Sequence, residues 1–121
     1  MHELSIAQSL IDVACEAAER EGANRVTRLT ARIGVLSGVV KECLLFSFGL
    51  AAEGTPCAGA VLDVEEVGIT VMCPHCESAQ ALGADLTFRC PRCGTPTPEI
   101  LTGRELELVS LEVAAHATAD C

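Results

Sequence analysis

The chain has 121 residues, half of them hydrophobic, with three Phe, no Trp or Tyr, and a net charge of −9. This length fits one domain with its own core, or one domain that carries a small satellite. The composition argues against nucleic-acid binding, which needs Lys, Arg and aromatic stacking surfaces, and no run of about eighteen apolar residues is present to span a membrane.

The first predicted element is an amphipathic helix over residues 3–21. Small and aliphatic side chains recur at three- and four-residue steps on one side, and acidic and polar side chains occupy the other side. Gly22 follows the last polar residue and is predicted to end the helix. The wide apolar stripe is typical of a helix that packs on a sheet.

The remaining regular elements predict an α+β fold. Residues 26–35 alternate between apolar and polar side chains, which indicates a half-buried strand. Apolar residues between 44 and 52 indicate a second helix that ends near Gly54, and two further strands are predicted over 61–67 and 105–113. We expect two helices packed on one face of a three-stranded, antiparallel sheet.

A segment of different composition, residues 70–102, separates the last two strands. It holds four of the five prolines and four of the eight cysteines, and its acidic and basic side chains balance between residues 70 and 98. We therefore predict a zinc-binding subdomain inserted at residues 70–102 into an α+β domain made of residues 1–69 plus 103–121.

Two CxxC motifs lie in the inserted segment, CPHC and CPRCG, with thirteen residues between them. Two thiolates three positions apart in a tight turn can bind one tetrahedral ion, and a second such turn completes a four-cysteine site. The motifs predict a zinc-ribbon-like subdomain that holds a structural Zn(II) without an open coordination position. Its predicted ligands are Cys73, Cys76, Cys90 and Cys93.

Three other roles for clustered cysteines fit this sequence less well. Two disulfides require an oxidising compartment, whereas the N-terminus lacks the basic region of a secretory signal and we expect a cytoplasmic protein. A thioredoxin-like redox motif normally uses one CxxC, and a rubredoxin-like iron site usually has an aromatic-rich core. Of the other cysteines, Cys15 and Cys43 are predicted to be small buried residues, while Cys57 and Cys121 have no role that we can assign from the sequence.

The N-terminal sequence Met1-His2-Glu3 is a second candidate metal site. The terminal amine, the His2 amide and the His2 imidazole can close adjacent chelate rings around one cation. A further amide or the Glu3 carboxylate could supply a fourth ligand. Nitrogen-rich, square-planar sites suit Ni(II) or Cu(II), and binding should weaken as the pH falls because the ligands must lose protons.

Taken together, the sequences MHELSIAQSL, RIGVLSGVV, CPHC…CPRCG and GRELELVSLEV resemble the HypA/HybF family of nickel metallochaperones for hydrogenase maturation. The resemblance covers residues 1 to about 113. It implies a nickel site at Met1, His2 and Glu3 and a structural zinc site at the four cysteines of the CxxC motifs. It also implies delivery of Ni(II) to the precursor of the [NiFe]-hydrogenase large subunit, together with a HypB-type GTPase; some members also serve urease.

The resemblance leaves some points open. Some family members are thought to take a further nickel ligand from a His in the zinc segment, where this chain has only His75, inside the first CxxC. No catalytic triad or phosphate-binding glycine loop is present, so we do not expect an enzyme. The alternative functions are a zinc-ribbon module that docks on a basic protein, without nickel transfer, and a CxxC redox protein.

Overall fold

The structure is a computed structural model, and it describes residues 3–114. Within these residues, two α-helices and six β-strands follow one another, with one 3₁₀ turn at Val35–Ser37 between the first strand and the second helix. Their bounds are α1 Glu3–Arg20, β1 Val26–Gly34, α2 Lys41–Ala52, β2 Val61–Val67, β3 Ile69–Cys73, β4 Ser78–Gly83, β5 Glu99–Thr102 and β6 Leu106–Val113. No helix in this range is long and apolar enough to cross a membrane.

The strands form two three-stranded sheets, in the orders β2-β1-β6 and β4-β3-β5. In the first sheet, the N–H of Gly34 donates to the Glu105 carbonyl at 2.8 Å, and the N–H of Ala114 donates to the Arg25 carbonyl at 3.0 Å. Because these bonds lie at opposite ends of β1 and β6, the two strands run antiparallel. The predicted α+β class, with two helices and a three-stranded sheet, is confirmed.

Helix α1 buries one stripe and ends as its sequence predicts. Its outer face is polar or exposed, and its buried side chains are Ala7, Leu10, Ile11, Ala14 and Ala18. Gly22 has φ 73°, and its N–H donates to the Glu19 carbonyl at 3.0 Å, while the N–H of Ala23 donates to the Ala18 carbonyl at 2.9 Å. This pair of bonds is the Schellman motif, which needs a residue of left-handed conformation at the position of Gly22.

The chain divides into two compact units. The first consists of the described parts of Met1–Ala31, Val39–Glu65 and Glu107–Cys121, and it contains both helices. The second consists of Arg32–Gly38 and Glu66–Leu106, and it contains the sheet β4-β3-β5. Every cysteine of the two CxxC motifs belongs to the second unit.

Candidate metal centre

The first CxxC motif lies in the turn between β3 and β4. These strands pair antiparallel, and Cys73, the last residue of β3, lies opposite Ser78, the first residue of β4. The turn between them contains Cys76 and closes when the N–H of Glu77 donates to the Cys73 carbonyl at 2.8 Å. We call residues 73–77 the first knuckle.

The second CxxC motif lies in a smaller hairpin closed by an isolated bridge between Arg89 and Pro96. The N–H of Gly94 donates to the Cys90 carbonyl at 2.8 Å. This bond corresponds to the one from Glu77 to Cys73 in the first knuckle. We call residues 90–94 the second knuckle. Strand β5 follows it and pairs antiparallel with β3, which returns the chain to the sheet that carries the first knuckle.

Both knuckles end on a residue in the left-handed region. Gly94 has φ 76° and Glu77 has φ 54°. Glycine adopts this conformation without a steric cost, whereas a side chain with a Cβ adopts it rarely. The glycine that ends CPRCG therefore predicts the turn. The motif CPHC forms the same turn although the residue that ends it, Glu77, adopts the left-handed conformation less readily.

The four predicted zinc ligands come together. Their Sγ atoms all lie within 4.8 Å of one another, with Cys73 and Cys93 Sγ 3.5 Å apart and Cys76 and Cys90 Sγ 3.9 Å apart. A tetrahedral zinc ion with Zn–S distances of about 2.3 Å has sulfur atoms about 3.8 Å apart. The four thiols thus have the number, type and spacing that a closed tetrahedral zinc site requires, and they are free rather than paired in disulfides.

Backbone amides already point at the sulfur atoms. The N–H of Cys76 donates to Cys73 Sγ at 3.3 Å, and the N–H of Arg92 donates to Cys90 Sγ at 3.4 Å. Such bonds stabilise negative charge on sulfur, which a thiolate ligand retains in part when it binds a cation. Cys73 and Cys90 are buried, whereas Cys76 is half-buried and Cys93 is exposed. The side of the centre that Cys76 and Cys93 form therefore lies near solvent.

The two outer thiols differ in acidity. The Thr95 hydroxyl lies 3.1 Å from Cys93 Sγ, and hydrogen bonding by Thr95 to the thiolate lowers the pKa of Cys93 to about 6. Hydrogen bonding to Cys93, followed by burial, raises the pKa of Cys76 to about 12. Of these two thiols, Cys93 is therefore the stronger acid. The effect of Thr95 on Cys93 could not be predicted from the CxxC motif, because the motif does not specify the residue two positions after its last cysteine.

The predicted nickel residues are only partly described. Met1 and His2 lie outside the described residues, while Glu3 is the first residue of α1. The Glu3 carboxylate accepts the N–H of Val40 at 3.2 Å, just before α2. His75 is exposed between Cys73 and Cys76 of the first knuckle.

Of the cysteines outside the CxxC motifs, Cys121 lies outside the described residues, and Cys15 and Cys43 are less buried than predicted. Cys43 was expected to be buried, and this is wrong, because it lies exposed on α2. Cys15 is half-buried, and its Sγ lies 3.7 Å from Sγ of Cys57, which is completely buried. The two cysteines are 42 residues apart in the sequence, so no local motif predicts that they meet.

Residues 1–113 match the profile of a protein family described as "HypA: Hydrogenase/urease nickel incorporation, metallochaperone, hypA". The chain belongs to the HypA family. The match begins at residue 1 and includes both the Met1-His2-Glu3 terminus and the four-cysteine segment, so the resemblance noted in the sequence is confirmed.

Relatives in the HypA family align with most of the length of this chain. The hydrogenase maturation factor HypA of Chloroflexus aurantiacus is 52% identical over 112 residues, which are 93% of this chain and 98% of the relative. The corresponding factor of Deinococcus radiodurans is 48% identical over 108 residues, 89% of each chain. The solution structure of the Ni metallochaperone HypA from Helicobacter pylori is 29% identical, with a TM-score of 0.69, and the similarity covers 96% of this chain and 100% of that one.

Proposed function

We propose that this chain is a nickel metallochaperone that binds Ni(II) at its N-terminus and delivers it for the maturation of [NiFe]-hydrogenase. The observation that carries the proposal is the family match from residue 1, because it includes the terminus Met1-His2-Glu3. This terminus offers an amine, an imidazole and amide nitrogens in sequence, which are the donors that a square-planar Ni(II) ion prefers.

The beginning of α1 supports a particular set of nickel ligands. The Glu3 carboxylate accepts a hydrogen bond from Val40, which favours a nitrogen over this carboxylate as the fourth ligand. The first four N–H groups of a helix have no acceptor within it, so deprotonation of the Glu3 amide would break no bond of α1. We therefore propose that Ni(II) is bound by the Met1 amine, the His2 amide and imidazole, and the Glu3 amide.

The four-cysteine centre has a different proposed role. We propose that it binds structural Zn(II) through Cys73, Cys76, Cys90 and Cys93. The support is the spacing of the sulfur atoms, which matches the edges of a zinc–thiolate tetrahedron. In this proposal residues 70–102 form the zinc-binding subdomain and residues 1–69 plus 103–121 form the nickel-binding domain.

The proposed acceptor is the precursor of the hydrogenase large subunit, with a HypB-type GTPase as the second partner. Relatives that are 52% and 48% identical to this chain over the aligned residues are named hydrogenase maturation factors, which supports this class of acceptor. We propose that the chain is not an enzyme and acts in the cytoplasm. A site at the chain terminus with few ligands is suited to this work, because an acceptor can reach the ion and remove it.

The test is a Ni(II) titration of zinc-loaded protein whose N-terminus carries no tag. We expect one stoichiometric site that disappears in His2→Ala and in a variant with residues added before Met1, because the first change removes the imidazole and the second converts the amine to an amide. His116→Ala is the matched control, which also removes one imidazole and should leave the site intact. A stoichiometric site that survives His2→Ala would disprove the proposed nickel site.

A further inference from the structure

A second thiol pair lies apart from the metal centre. Cys15 belongs to α1, and Cys57 lies in the loop between α2 and β2; both belong to the first unit. Their Sγ atoms are 3.7 Å apart. Cys57 has no exposed surface, whereas Cys15 is half-buried, so a reagent in solution can reach one member of the pair and not the other.

Local hydrogen bonds fix the position of Cys57. Its N–H donates to the Thr55 hydroxyl at 3.1 Å, and its carbonyl accepts the N–H of Ala60 at 2.9 Å. The carbonyl of the preceding residue, Pro56, accepts the N–H of Val26 at 2.9 Å, which attaches the loop to the start of β1. The buried sulfur is therefore held beside α1 by the backbone around it.

The distance between the two sulfur atoms is short enough for a covalent bond after a small movement. A disulfide requires an S–S distance of about 2.05 Å, so the sulfur atoms must approach by about 1.7 Å from their separation of 3.7 Å. Rotation of the two side chains about χ1 moves the sulfur atoms by distances of this size. Neither thiol is needed for the proposed zinc centre.

We propose that Cys15 and Cys57 form a reversible disulfide, with a small disulfide such as oxidised glutathione as the oxidant. The Cys15 thiolate attacks one sulfur of oxidised glutathione, which forms a mixed disulfide and releases one glutathione thiolate. Cys57 then attacks Cys15 Sγ, the second glutathione leaves, and the proton of Cys57 passes to it. The two cysteines lose two electrons and two protons, and the oxidant becomes two thiols.

The two cysteines have different parts in this exchange. Burial, followed by the hydrogen bond to Cys15, raises the pKa of Cys57 to about 12, so this thiol is a poor first nucleophile. Cys15 is the point of entry because it is the accessible member, and Cys57 acts next because it is already adjacent. Zinc binding protects the thiolates of the knuckles, so the Cys15–Cys57 pair is oxidised before them.

The experiment uses the zinc-loaded full chain with Cys43→Ser and Cys121→Ser, which leaves six cysteines. The protein is equilibrated with mixtures of reduced and oxidised glutathione, denatured in an alkylating agent, and weighed by mass spectrometry. We expect the number of alkylated cysteines to fall from six to four, without attached glutathione. The oxidised form should melt higher by roughly 5 °C or more, because the bridge closes a long loop in the unfolded chain.

Tryptic peptides locate the bridge: the peptide of residues 1–20 contains only Cys15 and should be joined to the peptide of residues 42–89, which retains Cys57, Cys73 and Cys76. Alkylation of both Cys73 and Cys76 in the joined peptide leaves Cys57 as the partner of Cys15. Cys15→Ser in the same background should abolish the loss of alkylation, and this substitution changes the fold least because Cys15 is only half-buried. Cys57→Ala should stop the exchange at a glutathione adduct on Cys15, because no second thiol is left to displace the glutathione. Six alkylated cysteines under all mixtures in the chain that retains both thiols would overturn the proposal. A stable glutathione adduct on Cys15 in that chain, or an earlier bridge among the knuckle cysteines, would overturn it as well.

Discussion

At Gly34 a glycine is required because there is no room for a side chain, and not because of the backbone conformation. Its backbone is extended, with φ −83° and ψ 152°, which any residue can adopt. A Cβ at this position would overlap the carbonyl oxygen of Gly103 and would lie 2.7 Å from the backbone nitrogen of Arg104. Two backbone segments of the second unit meet here without room for a methyl group, beside the hydrogen bond from Gly34 N–H to Glu105.

We expect Gly34→Ala to lower the free energy of unfolding by at least about 2 kcal/mol, because the atoms it meets belong to the backbone and cannot rotate away. Gly49→Ala is the matched control. Gly49 lies in α2 with no atom near its potential Cβ, so the same change should raise stability by up to about 1 kcal/mol. Urea unfolding of the zinc-loaded protein, followed by circular dichroism, gives both values. A loss below about 0.5 kcal/mol for Gly34→Ala would contradict the predicted overlap.

At the scale of elements, the second knuckle depends on a chain segment with little regular structure. Residues 84–98, all of them described, contain an isolated bridge and no strand. The N–H and the hydroxyl of Thr97 both donate to the Phe88 carbonyl, at 2.8 and 2.7 Å. Thr97 is 1% exposed, and Phe88 has φ 56°. These two bonds hold the base of the hairpin that carries Cys90 and Cys93.

Thr97→Val tests this support. The change keeps the shape of the buried side chain and removes the hydrogen bond from its hydroxyl to the Phe88 carbonyl, so we expect a loss of about 1–2 kcal/mol in the free energy of unfolding. Zinc transfer to a chromophoric chelator should become faster, because the second knuckle opens more often. Thr87→Val, at an exposed position in the same segment, should change stability by less than about 0.5 kcal/mol. Equal effects of the two substitutions would show that the Thr97 hydroxyl is not the support.

The elements also show where sequence patterns suffice. Strand β2 was predicted with its observed bounds, because the short run VLDVEEV follows a break at Thr55-Pro56 and a loop of small residues to Gly59. Helix α2 is apolar on all sides: Leu44 and Phe48 are buried, whereas Phe46 and Leu50 are exposed. Its inner face, and with it the exposure of Cys43, could not be predicted from the pattern. The strands of the second unit were missed, because each has only four to six residues. So short a run of apolar and polar side chains shows no clear period.

The candidate site was predicted to a similar extent. Candidate metal ligands that occur as local pairs have a fixed spacing, so the clustering of the four knuckle cysteines could be predicted without the fold. Contacts between distant parts of the chain have no such spacing. The approach of Cys57 to Cys15, and of the Glu3 carboxylate to Val40, depends on how the loops around α2 return to α1, which periodicity does not encode.

At the scale of the whole molecule, the two units have different means of stabilisation. The first unit contains both helices and most of the buried aliphatic side chains, including Leu10, Leu29 and Leu44. The second contains short strands, and buried thiols of Cys73 and Cys90 are part of its interior. A metal that binds four thiolates adds its binding free energy to the folding of the unit that supplies them. Removal of zinc should therefore affect the second unit far more than the first.

We expect chelation of zinc to leave the helical circular dichroism signal nearly unchanged while residues 70–102 lose their protection from amide exchange. Exchange there should accelerate by about a hundredfold or more, because the metal no longer holds the two knuckles together, whereas exchange in α1 and α2 should stay slow. Cys73→Ser should reproduce the effect without a chelator, and Cys43→Ser, which removes an exposed thiol, should retain zinc and protection. Hydrogen exchange measured by mass spectrometry separates the two units in one experiment. Equal loss of protection in the helices would mean that zinc stabilises the first unit as well, and unchanged protection in residues 70–102 would mean that the second unit folds without the metal.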